Sequence, residues 1–152
     1  MQFWRLTPER WSAGAFSGEG GIRFSGGWNP KGVRLVYTSE HLSLALLELL
    51  VNMDAVADSE RYVAIRGEIP DHLEVGYIEL RDLPTDWRDP SRPGLLQRIG
   101  RDWIVGGRYA ALSVPSAVVP QERNVLLNPE HPDFARITIG PPESFSFDAR
   151  LR

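Results

Sequence analysis

Between Leu42 and Val51 the sequence LSLALLELLV carries a single charge, Glu48. A carboxylate among leucines pays a desolvation cost of several kcal/mol unless it is paired or hydrogen-bonded. Two readings follow: a structural ion pair or helix edge reaching water, or a carboxylate held in a cleft to stabilise developing positive charge or orient a nucleophile. Tyr37 ends the apolar run just before this segment, either as a core aromatic or as a ring that stacks on a flat ligand near Glu48. Arg23 lies in a glycine-rich stretch between Ile22 and Phe24, where a guanidinium could clamp an anion in bidentate fashion or form a simple salt bridge. Ser116, in VPSAVVP, has no GxSxG elbow around it and no histidine nearby in sequence. A positioning hydrogen bond to a ligand, or a turn-capping role, fits it better than nucleophilic attack.

Other chemistries are excluded. There is no cysteine, so no thiolate nucleophile, disulfide or cysteine-ligated zinc exists. His41, His72 and His131 are widely spaced and show no metal pattern; His131 reads as a loop-fixing residue, and Asn124 and Asn128 as residues satisfying turn backbone. GEGG at 18–21 lacks the GxGxxG spacing, and Gly32 is not followed by the Lys-Ser/Thr of a nucleotide loop. Seventeen basic against 20 acidic residues argue against direct nucleic-acid binding. The charges within MQFWRLTPERW exclude a signal peptide, and the longest apolar stretch is too short to span a membrane, so the expectation is a cytoplasmic protein.

The elements that must position these residues read as α+β, in a single domain over 1–152. Strands are predicted at Met1–Leu6, Val33–Tyr37, Tyr62–Ile69, Glu74–Ile78 and Phe134–Ile139. The firmest helix is Glu40–Met53, capped by Thr38 or Ser39 and apolar around nearly its whole circumference, hence buried on most sides. A second helix, Leu95–Ile104, is stopped by Gly106–Gly107. Ser12–Gly32 is expected to be a structured loop with at most a short strand, anchored to the core by Ile22, Phe24 and Trp28. Leu83–Pro93 reads as a surface excursion carrying Trp87. Ala111–Val119, interrupted by Pro115, reads as an edge, a bulge or a strand entering a loop, and Asn124–His131 as a turn-rich loop. Beyond Pro141 alternation is weak. Trp4, Trp11, Trp28 and Trp103 are expected in the core or the wall of a cleft. From these features alone the chain is either a small enzyme with an anionic, aromatic ligand or a binding domain in which Glu48 is a buried pair partner.

Three separated segments in order, GGIRFSGGWNPKG (20–32), VYTSEHLSLALLELL (36–50) and VPSAVVPQERNVLLNPEHPD (114–133), resemble the RES-domain toxin family. The resemblance implies a compact relative of the ADP-ribosyltransferase fold, with mixed sheets and flanking helices. It implies depletion of NAD by cleavage of the nicotinamide–ribose bond, through hydrolysis or phosphorolysis, with NAD as substrate, phosphate as an alternative co-substrate, and no resident cofactor or metal. It places Glu48, Tyr37 and Ser116 in the catalytic set and Arg5, Arg23, Gly27, Trp28 and Asn124 beside Tyr37 and Ser116 in the binding set. The implied partners are a cognate antitoxin with an Xre-like helix-turn-helix and a second toxin copy. Protein ADP-ribosyl transfer and inactive NAD binding are the alternatives. Family members read arginine directly before the tryptophan of this motif; here Gly27 stands there, which implies weakened turnover, restored by Gly27→Arg.

Overall fold

The computed structural model describes residues 1–53 and 60–151. In these residues eight strands make one mixed sheet: β1 (Gln2–Pro8), β2 (Val36–Ser39), β3 (Tyr62–Glu68), β4 (Gly76–Tyr77), β5 (Ala111–Pro115), β6 (Arg123–Leu127), β7 (Thr138–Ile139) and β8 (Glu143–Phe145). Their order is β4-β5-β6-β2-β1-β3-β7, with β8 also on β3. All pairings are antiparallel except β4 with β5. Among the described residues three helices accompany them: α1 (Glu19–Arg23), α2 (Leu42–Val51) and α3 (Gly94–Gly106). The α+β expectation holds.

Alternation along the strands divides the sheet into two faces. Phe3, Val36, Ala111, Val125 and Leu127 pack on one, with Ile69 and Ile137. On the other, α2 lies over Leu6, Tyr62 and Ala64, while Trp28, Trp87, Leu96 and Trp103 cover Leu112, Val114 and Leu126. The gap between these two clusters runs along β1, β2 and β6. There β1 and β2 pair at one register position only, Trp4 opposite Ser39, so the strands splay apart.

Several expectations need correction. Asn124–His131 is turn only from Asn128 on: its first half belongs to β6, which is buried on both faces, and a central strand so covered shows an unbroken apolar run instead of alternation. Phe134–Ile139 is not one strand; a 3₁₀ turn at Pro132–Arg136, with Asp133 N–H bonded to His131 Nδ1, leaves only β7. Ser12–Gly32 holds a 3₁₀ turn ending at Gly14 and then α1, not a strand. Thr38 and Ser39 do not cap α2. They belong to β2, which begins at Val36, and their hydroxyls bond Val125 O and Asn124 Oδ1. Within α2 only Leu44 and Ala45 are buried, and Leu47 and Val51 are exposed, because the sheet covers one side alone. Trp87 is buried against the α3 cluster despite its polar surroundings, whereas Trp11 and Phe24 are exposed. Ala111–Pro115 lies between β4 and β6, with Pro115 as its last residue. Helix α3 ends as expected, at Gly107 with φ 65°.

Candidate active site

A cleft of about 480 Å³ opens in the gap between the two clusters. Glu48 enters it from α2, Asn124 from the start of β6, Tyr37 and Ser39 from β2, Arg5 from β1, and Gly26–Trp28 from the loop after α1. A second cavity of about 200 Å³ beside α1 shares Arg5, Ser25, Gly26 and Tyr37 with it.

Glu48 is half-buried, and both hydrogen bonds to its carboxylate end on Oε1. Ser116 Oγ donates at 2.7 Å and Asn124 Nδ2 at 2.6 Å. Among the described residues no donor reaches Oε2. The carboxylate is therefore pinned through one oxygen and offers the other to the cleft. The pin is itself fixed. Ser116 Oγ accepts from the N–H groups of Val118 and Val119, both at 3.1 Å, which uses its lone pairs. Ser39 Oγ donates to Asn124 Oδ1 at 2.8 Å, which turns the amide so that its nitrogen faces Glu48. Ser116 thus spends its hydrogen bonds on Glu48 and its own turn, and the fully buried hydroxyl orients the carboxylate.

Tyr37 holds the loop. Its hydroxyl accepts from Trp28 N–H at 2.9 Å and donates to Asn29 Oδ1, while Asn29 Nδ2 donates to the carbonyls of Gly21, Phe24 and Pro30. Burial pushes the Tyr37 pKa upward, with the Glu48 charge adding to the rise against the pull of its hydrogen bonds. The phenol stays protonated across the physiological range. Any Cβ on Gly26 would come within 2.6 Å of Asn29 Oδ1 and Tyr37 Oη, so this close crossing requires glycine.

Arg5 bridges the splayed strands. Its Nη1 donates at 2.9 Å to the carbonyl of Tyr37. No carboxylate among the described residues lies within ion-pair distance, and Nε is buried with no partner. Desolvation lowers its pKa to about 10, so the group remains a cation at neutral pH. A half-buried guanidinium at the junction of two cavities, with no countercharge among the described residues, is suited to an anion such as a phosphate.

The remaining expected site residues divide. Trp28 forms the wall, its side chain buried in the α3 cluster. Gly27 lines the cleft, and a Cβ there would meet nothing within 4 Å, so a larger side chain fits. Arg23 stands apart: its side chain is 68% exposed, paired with Glu19 one turn earlier, and lines neither cavity. Sequence reasoning passed over Asn29 and Ser39, whose partners are contributed by distant elements. His41, read in sequence as outside any metal pattern, stands beside Glu40 and Glu122, their ligand atoms within 4.8 Å of one another outside the cleft; Glu40 Oε1 there already accepts from Arg123 N–H. Chemically, the cleft offers one anchored carboxylate, one isolated cation and a tethered phenol, a set matched to a ligand with a cationic centre and an anionic middle.

A family model described as the RES domain matches residues 2–148. The chain is 34% identical to "Toxin Res" of Yersinia enterocolitica, covering 100% of both chains. It is 34% identical to "Toxin Res" of Photorhabdus laumondii, over 99% of this chain and 97% of that one. It is 30% identical to a "Prs ADP-ribosylating toxin" of a Sphingobium strain, over 98% and 95%. Among solved structures, the M. tuberculosis MbcT-MbcA toxin-antitoxin complex superposes with a TM-score of 0.79 at 16% identity, covering 95% of this chain and 84% of that one. At that identity the superposition speaks to the fold alone.

Proposed function

Because the chain belongs to the RES-domain family, we propose that it is the toxin of a toxin–antitoxin pair and that it acts by cleaving the nicotinamide–ribose bond of NAD. The observation that carries this reading is Glu48, fixed through Oε1 and open at Oε2 in a cleft large enough for a dinucleotide's reacting half. When the bond to nicotinamide breaks, its electron pair leaves with the ring nitrogen and positive charge develops on the ribose. A carboxylate about 4 Å from that charge is worth about 4 kcal/mol at an effective dielectric near 20. Arg5 supplies the cation for the pyrophosphate. Water or phosphate then takes the anomeric carbon. The cognate antitoxin, with an Xre-like helix-turn-helix, covers the cleft, in the cytoplasm; a second toxin copy is a further proposed partner.

Gly27 leaves the phosphate region one guanidinium short of the family pattern. Such a contact is worth about 2–4 kcal/mol, or roughly 30- to 1000-fold in rate. The test is a nicotinamide-release assay on antitoxin-free protein and on Gly27→Arg, each with and without phosphate, plus Glu48→Gln in the arginine background. The expected result is slow release by the native chain, an increase of that order in Gly27→Arg, and loss on Glu48→Gln. Release that survives Glu48→Gln rejects the reading. Similarity to a relative named as ADP-ribosylating favours one second reading, transfer to a protein; label on a macromolecule in place of free ADP-ribose would support it. NAD binding without turnover, even in Gly27→Arg, would instead mark an inactive binding protein.

A further inference from the structure

Phe24 was expected in the core, yet its residue is 71% exposed. The backbone beneath it is well fixed. Its N–H donates to Gly20 O at 2.9 Å, and its carbonyl accepts from the buried Asn29 at 3.1 Å. An aromatic ring is thus presented to solvent on a tethered loop, at the wall of the smaller cavity.

We propose that this smaller cavity, with Phe24 as its stacking face, is the subsite for a purine base at the end of the ligand remote from Glu48; the assignment rests on the dinucleotide reading above. Three features carry it. At about 200 Å³ the cavity falls below the roughly 300–1,000 Å³ of a whole-ligand pocket, and so suits one ring system. Its lining joins Phe24 to Ala15 and the side-chain-free Gly20 and Gly21, with Glu19, Ser25 and Asn29 as polar groups at the same cavity. It meets the main cleft at Arg5 and Tyr37, so carboxylate, cation and aromatic ring follow one another in space as sugar, phosphates and base follow one another in a dinucleotide. Stacking on a ring whose backbone is already ordered loses little conformational entropy, and a bicyclic base offers the larger face to Phe24.

The probes are AMP and ADP-ribose, which carry the base, and nicotinamide mononucleotide, which lacks it, each titrated calorimetrically. Phe24→Ala is expected to weaken AMP and ADP-ribose about tenfold, within the range of base–aromatic stacking. It should leave nicotinamide mononucleotide unchanged, and Phe24→Trp should retain native affinity for all three. Glu48→Gln is expected to leave AMP binding intact. The subsite is overturned if the native chain does not bind AMP, if AMP binds Phe24→Ala as tightly, or if all three ligands weaken by the same factor, which would mark a loop effect. Failure of the cleavage reading looks different: AMP bound through Phe24, with no nicotinamide released even by Gly27→Arg, leaves the base subsite standing.

Discussion

Two donors on one oxygen of Glu48 make that carboxylate directional. Ser116→Ala removes one donor and leaves the Val118 and Val119 N–H groups without their acceptor. We expect nicotinamide release to fall about 10- to 100-fold, for loss of an electrostatic contact of this kind, while urea melts show a loss of only about 1–2 kcal/mol. A stability loss large enough to account for the whole rate change would assign Ser116 to the fold instead. Tyr37 gives a test in pH. Its folded pKa is raised, so its contribution is intact below the unfolded value near 10 and is lost as the pH climbs past that value. Tyr37→Phe should therefore flatten the fall in Tm between pH 9 and 11 relative to the native chain, while lowering Tm at neutral pH through loss of the Trp28 and Asn29 bonds. Glu48 was legible in sequence because it is the one charge in an apolar helix, and Tyr37 because it adjoins that helix. Asn29 and Ser39 were not, because a buried amide and a buried hydroxyl look in sequence like any turn asparagine or strand serine until their long-range partners are known.

At the level of elements, α3 and the Trp28 loop touch through backbone. A Cβ on Gly100 would lie 1.7 Å from Trp28 O, a contact with no flexible side chain to yield. Gly100→Ala should push the helix from the loop, cost about 1–3 kcal/mol in a denaturant melt, and raise KM by loosening the cleft wall; an unchanged melt would mean that the loop relocates freely. In contrast, Gly27→Arg meets open space and should melt like the native chain. The helices were the most readable elements, since Gly106–Gly107 marks one end and leucine density marks the other helix. Strand β6 was hidden for a physical reason. The apolar triplet Val125–Leu127 is buried on both sides, so it carries no alternation, and the asparagines at 124 and 128 imitate the borders of a loop. Exposed Phe24 failed for the converse reason: hydrophobicity says which residues are able to be buried, not which are.

The molecule as a whole is a single sheet whose site lies where neighbouring strands part. Since β1 and β2 pair at only one position, Arg5 replaces the missing ladder contact to Tyr37 O and leaves a cation lodged in the fold without a countercharge among the described residues. An anionic ligand that supplies the countercharge should stabilise the whole domain. At a hundredfold excess over Kd, ADP-ribose should add about 2.7 kcal/mol, a rise in Tm of roughly 5–10 °C for a chain of this size, and Arg5→Ala should abolish that rise. Strand order has a further consequence for how the protein is made. Arg5, Tyr37 and Glu48 leave the ribosome early, but Ser116 and Asn124 are added late, and β6 must then insert between β5 and β2. A nascent chain stalled before Ser116 therefore lacks both donors to Glu48 and the strand β6 beside the cleft. Synthesis of the Glu48 carboxylate precedes assembly of the site by half the chain's length, so truncated products of this gene should be harmless to the cell that makes them.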